Sequence, residues 1–406
     1  MSYDELKIHL KQLSEINSEL LDYLNNEKGG DEELFEKIIN TAKDMNLVSN
    51  FHLYTTVLSL ITNLSISRPS NKSIIDKIVQ ILVEFVHHFE MLTVFNNVQL
   101  FELFQVNKSL ILRLLNLNYL NVSYFKPYMP NVDYLFFLYP ELLHCGISKS
   151  FPKYNQNIQS DIYQYSKIYA EQAYPENNPN IVAFDDKQSL IDNFYRFRIL
   201  GHGFNMLQLS IENDDLNKFI ELTNITNKFN YREKFTYSLF ESDKNIKSVD
   251  VIQYALAFGS LNIFKYLVMN KVEIIKDDLK YAIIGGNRDI INIIENDVKI
   301  LFDDMKYFQI AIKYHQNVLF NYFINNYEHL QLNIMILFNL CVKYNNYVLL
   351  YTLIEDNSIN LDEYFSKYDV ISKLHYSSSI FILFYFLFCI KKDSDYMELL
   401  SFIDLS

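Results

Sequence analysis

The segment YALAFGSLNIFKYL, which begins at Tyr254, is echoed from Tyr281 by YAIIGGNRDIINII. Aligning Ala255 with Ala282 extends the frame to Ser210, Ala311, Cys341 and, more loosely, His375, which gives anchors 45, 27, 29, 30 and 34 residues apart. Nine residues past the anchors stand Phe219, Phe264, Ile291, Phe320, Leu350 and Phe384; twelve past stand Leu222, Leu267, Ile294, Phe323, Leu353 and Leu387. These two columns lie i, i+3 on one helical face, so each unit reads as a pair of helices whose second member faces a shared core. Four past the anchors come Asp214, Gly259, Gly286, His315, Asn345 and Ser379. Turn-formers dominate that column, with glycine where a left-handed residue is most useful and His315 as the exception. A period of this length builds a stack of units, each supported by its neighbours, and needs no single central core.

The 227 residues from Asn180 to Ser406 contain no proline, which favours uninterrupted short helices. Upstream, apolar residues at 3.6 spacing predict helices at about 4–26, 32–46, 51–66, 72–91 and 97–118. The expected organisation is an N-terminal helix over 1–30, a helical domain over 31–150, a Tyr-, Asn- and Pro-rich connecting segment over 151–199, and repeats with a C-terminal cap over 200–406. In the first helix Leu6, Leu10, Leu13, Asn17, Leu20 and Leu24 form a heptad seam. One reading is a homo-oligomeric coiled coil with Asn17 setting its register. The other, favoured because Ile16 widens the stripe, is packing within the chain.

The units resemble ankyrin repeats, whose period is about 33 residues, in their small anchor, Gly turn and apolar second helix. More closely, the chain resembles a group of protist proteins that join an Ile-, Leu- and Asn-rich helical region to divergent ankyrin repeats. The likeness covers about residues 32–360 and is most specific from 250 to 325. It implies an all-α solenoid of divergent ankyrin-type helix pairs behind a helical N-terminal region. No unit keeps the Thr-Pro-Leu-His opening, so first helices need other caps; Asp277-Asp278 and Asp303-Asp304 stand in the right places.

A net charge of −13 without a basic run longer than Lys391-Lys392 argues against a nucleic-acid partner. Cys145, Cys341 and Cys389 are few, distant and odd in number, which suits reduced thiols and a cytoplasmic location. The opening MSYDELKIHLKQ is charged and lacks the apolar core of a signal peptide, so secretion by that route is not expected. The longest apolar run, Ile380 to Ile390, falls short of the roughly 20 residues of a membrane span and reads as a buried helix.

Candidate chemistry is sparse. Asp214-Asp215 and the two other Asp pairs are expected to cap helices. Glu84, His87 and His88 could begin a metal site, but a carboxylate-bridged centre also needs further carboxylates from other helices, and a structural or surface role is expected for them. Neighbours on a helix point about 100° apart, so His144-Cys145 is no catalytic pair. Gly201-His202-Gly203 lacks the lysine and third glycine of a phosphate loop. No cofactor, no metal and no catalysis are expected. The resemblance places the residues two and three past each anchor on a concave binding face. Phe258, Lys313, Tyr314, Lys343 and Tyr344 are its candidates, the two Lys-Tyr pairs standing side by side. Ala255, Gly259, Ala282, Gly286, Ala311 and Cys341 are expected to be structural. The function expected is a non-catalytic scaffold or adaptor that holds a protein partner on that face; the alternative is self-assembly through the heptad helix.

Overall fold

The structure, a computed structural model, describes residues 3–26, 31–67, 72–124, 134, 137–144, 198, 205–224, 229–235, 240–327 and 333–355. Among these residues it is all-α, with eighteen α-helices and no strand; Lys234 and Asp250 form an isolated bridge. The expected unit at His375, the apolar run 380–390, the Gly201–Gly203 turn, Cys145 and the C-terminal cap lie outside the described residues. Two compact units emerge, one of Met1–Asn63 with Gln331–Ser406 and one of Leu64–Leu330. These bounds differ from the expected divisions at 30, 150 and 199, because contacts made across long stretches of sequence decide them.

The first unit holds α1 (Tyr3–Asn25), α2 (Asp31–Asp44), α3 (Phe51–Ile66) as far as Asn63, and the pair α17 (Ile334–Lys343) and α18 (Tyr347–Glu355). The heptad seam is covered here: Leu10, Leu13, Ile16, Leu20 and Leu24 are buried, and α1 packs on α2 and α18. Asn17, fully buried, accepts hydrogen bonds at Oδ1 from the backbone N–H groups of Tyr347 (3.1 Å) and Val348 (3.4 Å). It caps the first turn of α18 from 330 residues away.

The second unit begins with α4 (Lys72–His88), α5 (Met91–Val94), α6 (Asn97–Phe104), α7 (Lys108–Asn116) and α8 (Tyr139–His144). The single helix expected over 97–118 is two. Asn107 takes an extended conformation, caps α7 by accepting from the Leu110 N–H, and donates from Nδ2 to Ser65. A residue that gains three hydrogen bonds by leaving the helix outweighs a periodicity that runs through the break.

Four helix pairs follow in this unit: α9 (Met206–Glu212) with α10 (Leu216–Thr223), α11 (Val251–Ala257) with α12 (Leu261–Met269), α13 (Leu279–Gly285) with α14 (Arg288–Ile293), and α15 (Met305–Lys313) with α16 (Asn317–Asn326). First helices touch first helices, α9 on α11 on α13 on α15, and second helices follow, α10 on α12 on α14. The anchors Ser210, Ala255, Ala282 and Ala311 are buried, as is Cys341 in the first unit, and so are Phe219, Phe264, Ile291, Phe320 and Leu350 nine residues on.

The turn column is the most uniform feature of the repeat. Asp214, Gly259, Gly286, His315 and Asn345 have φ of 50°, 67°, 68°, 52° and 54°, all left-handed. In four of the five units the N–H one residue later returns to the anchor carbonyl: Asp215 to Ser210, Ser260 to Ala255, Gln316 to Ala311 and Asn346 to Cys341, at 2.8–3.0 Å. The turn residue itself bonds to the carbonyl after the anchor, which completes a Schellman cap. At Gly286 a single bond to Ala282 O takes the place of the pair. His315 therefore obeys the column, buried within its turn.

The Asp pairs divide their labour. Asp215 and Asp304 cap α10 and α15 by accepting from the Lys218 and Lys306 N–H groups. Asp214 reaches into the next pair and accepts from the Asn262 and Ile263 N–H groups at the start of α12, at 2.9 and 3.0 Å. The expected capping of α13 by Asp278 is replaced by an ion pair. Asp278, wholly buried, takes Arg232 Nη2 at 2.6 Å and Nη1 at 3.0 Å, while Asp250, the cap of α11, takes Nη1 at 3.0 Å. Buried carboxylates need a cation more than the helix needs a cap. Arg232 sits in the insertion before α11 and so ties two repeats together. Because it keeps 29% of its side-chain exposure, R232M should cost about 2 kcal/mol, between the surface and the buried limits. Thermal unfolding checks this, and D278N should recover part of the loss in the R232M background but not in wild type.

Candidate binding site

The five residues expected on the partner face meet different fates. Phe258 ends α11, half-buried, with its ring 4.4 Å from that of Tyr254. Lys313 and Lys343 close α15 and α17; Lys343 is exposed, while Lys313 and Tyr344 are half-buried. Tyr314 is buried, and its hydroxyl donates to Asp243 Oδ2 at 2.5 Å and accepts from Asn245 Nδ2 at 2.6 Å. Burial beside that carboxylate holds the phenol far above its usual range. Tyr314 is thus an internal strut. Lys313 and Tyr314 lie in the second unit, Lys343 and Tyr344 in the first. Each lysine rests over its own tyrosine, at 4.9 and 5.4 Å from the ring centroid. Lys280 over Tyr281 (4.7 Å) and Lys306 over Tyr307 (5.0 Å) do the same away from that face. The stacking marks adjacent Lys-Tyr sequence, not a binding column.

The Tyr314 strut nevertheless leads to a site. The loop it holds, Glu241 to Lys247, belongs to the insertion between the first two pairs. It is braced internally by Asp243 N–H to Glu241 Oε1 and by Asn245 N–H to Asp243 Oδ1, both 2.9 Å. Its far side is fixed by Ser242 Oγ, which accepts from the Lys108 N–H at 3.1 Å and so caps α7 across 134 residues. Between this loop, the α6–α7 turn and the end of α15 lies a cleft of about 540 Å³. Ile66, Val106, Gln105, Tyr134, Ser242 and Asn245 line it together with Lys108, Lys244, Lys247, Lys313 and Asp243.

Four lysines and one aspartate are among its lining residues. The carboxylate of Asp243 is already engaged by Tyr314 and Asn245, and Lys108 is buried with its ammonium 5.8 Å from the Phe137 ring. Walls held by hydrogen bonds on both sides and a volume in the range of ligand pockets make this cleft a candidate binding site. The sequence reading missed Lys108, Lys244 and Lys247. The signal for the last two was the long 45-residue spacing between the Ser210 and Ala255 anchors; for Lys108 there was none.

Other candidates resolve as structural contacts. His88 Nε2 lies 3.0 Å from Glu84 Oε2 on exposed faces of α4. Among the described residues no group of three or more His, Cys, Asp or Glu side chains is placed to hold a metal ion, and no helix is long and apolar enough to cross a membrane. Cys341 is a buried free thiol whose pKa burial pushes up.

Compared with known proteins, residues 269–353 match the family model described as a domain of unknown function, DUF3447. That segment begins at the end of α12, runs through two helix pairs and α17, and ends within α18. No curated protein and no solved structure matches.

Proposed function

We propose that this chain is a non-catalytic, cytoplasmic interaction scaffold, a solenoid of divergent ankyrin-type repeats that holds a protein partner on the face formed by the ends of its first helices. One observation carries the reading: the same unit of helix, left-handed turn and helix recurs five times at the register of the anchors, with the four pairs of the second unit in contact along the row of first helices and the first three of them also along the row of second helices. Such stacks expose extended surfaces whose side chains vary without disturbing the buried columns, which is the physical basis of repeat proteins as binders. Phe258, Lys343 and Tyr344 are half-buried or exposed and sit at helix ends, outside those columns.

The test is quantitative affinity capture from the native cell, with full-length wild type compared with the F258A/K343A/Y344A variant after circular dichroism confirms equal folding. A partner retained by wild type and reduced about tenfold in the variant is expected. Equal recovery by both baits, or recovery of the bait alone, overturns the reading.

A further inference from the structure

We propose that Glu19 makes the contact between α1 and α2 an acid-strengthened latch, firmest when its carboxyl carries a proton and looser when the carboxylate forms. The device belongs to the first unit and does not depend on which partner the repeat array holds.

Glu19 is only 6% exposed, on the stretch of α1 where Ile16, Leu20 and Tyr23 are also buried. α1 packs on α2, and across that contact the rings of Tyr23 and Phe35 meet with centroids 5.7 Å apart. Glu19 Oε1 accepts from the Thr41 hydroxyl at 3.1 Å and lies 3.5 Å from Lys37 Nζ. Oε2 is buried and makes no hydrogen bond among the described residues. A carboxylate accepts at both oxygens, so the ionised group is left half-satisfied inside the contact, which costs more than burying the neutral acid. Lys37 offsets little of that cost, because its side chain is 63% exposed and water weakens its attraction.

The charges around Glu19 set the direction of the effect. On α1 itself Glu15 adds repulsion, with Lys11 3.7 Å from it. α2 supplies Lys37 and the Thr41 hydroxyl. α18, the other helix packed on α1, carries one charged side chain, Glu355, which pairs at 2.7 Å with Lys7 near the far end of α1. Burial raises the Glu19 carboxyl above its ordinary value, and Thr41 and Lys37 pull it down only in part. A raised carboxyl holds its proton more tightly in the folded chain than in the unfolded one. Its contribution to stability is therefore complete below the ordinary carboxylate value and is lost as pH rises through the folded value. Glu355 runs the other way, since the bond from Lys7 lowers it, so the latch is read at α2 and not from the whole chain.

The test uses full-length protein and follows hydrogen exchange by mass spectrometry in the peptide covering α2, residues 31–44. Wild type and E19Q are compared at the same pH, so that intrinsic exchange rates cancel. At about pH 7.5 E19Q, neutral and close in shape, should protect this peptide about threefold or more over wild type, and the ratio should fall toward one at about pH 5. K37M removes the counter-charge from an exposed position. It should lower α2 protection at about pH 7.5 in wild type and leave E19Q unchanged. The peptide of α7, residues 108–116, should be equally protected in every variant, which confirms that the chain is folded. Equal protection of wild type and E19Q at about pH 7.5, greater protection of wild type there, or a ratio unchanged between the two pH values overturns the proposal, as does a K37M effect of equal size in both backgrounds.

Discussion

Replacing Gly285 with alanine should destabilise the repeat array by about 3 kcal/mol or more. The new Cβ would fall far inside van der Waals contact distance of the Leu256 carbonyl oxygen and within 2.9 Å of Gly259 N and 3.1 Å of Ala257 O. All three atoms belong to the backbone of the preceding pair, and none can retreat cheaply. Leu256 O accepts from the Gly259 N–H, and Ser260 N–H bonds to Ala255 O, in the Schellman cap of that pair. Relief would require α11 and α13 to separate, and with them the contact that joins one half of the stack to the other.

Gly286, one residue on, is the control. Its φ of 68° makes an alanine there cost about 1–2 kcal/mol in backbone strain, but the atoms its Cβ would meet are the amide of Gln316, the far end of a flexible side chain. Urea unfolding followed by circular dichroism should therefore rank G285A well below G286A, with a broadened transition for G285A as the stack uncouples. A G285A protein within about 1 kcal/mol of wild type, or the reverse order, would mean that the pairs are not packed backbone to backbone.

The contrast between these two glycines shows what was legible in the sequence. The repeat frame located the turn column, and every described member of it is left-handed. What it could not rank was why a glycine is there. Gly286 serves conformation, which a column of turn residues reveals; Gly285 serves the close approach of a neighbour, which only packing reveals. His315 makes the same point from the other side. It looked like an exception because αL was read from residue type, yet a buried side chain and the flanking Schellman bonds hold a non-glycine residue in that conformation.

Local signals, such as caps, turns and apolar columns, were readable because cause and effect lie within a few residues. The Lys108–Ser242, Arg232–Asp278 and Asn17–Tyr347 contacts span 134, 46 and 330 residues. Nothing in the neighbourhood of any of these residues announces its partner. The candidate site was only partly visible for that reason: Lys313 came from the repeat frame, whereas Lys108, Lys244, Lys247 and the burial of Tyr314 depend on the tertiary meeting of those parts.

Asn17 carries the second large expectation, because its two readings demand opposite results. At a core position of a coiled coil between chains, asparagine lowers stability in exchange for register, so N17L would stabilise the protein and loosen its choice of strand number. In the first unit Asn17 Oδ1 is instead the acceptor for the Tyr347 and Val348 N–H groups at the start of α18, and the surroundings are dry, with Leu13, Ile16, Leu20 and Tyr347 all buried. Leucine would fill the space but leave both N–H groups without that acceptor. Each orphaned donor costs about 1–3 kcal/mol, against which the removal of the buried amide, whose Nδ2 finds no partner, offsets only a part. N17L should lose about 3 kcal/mol, and hydrogen exchange should show faster opening at Tyr347 and Val348 than at the Schellman-capped amides of the second unit. Light scattering on the same sample completes the test. A stabilised N17L protein with altered mass would assign α1 to self-assembly, and a destabilised one of unchanged mass would assign it to holding the last described helix pair in place.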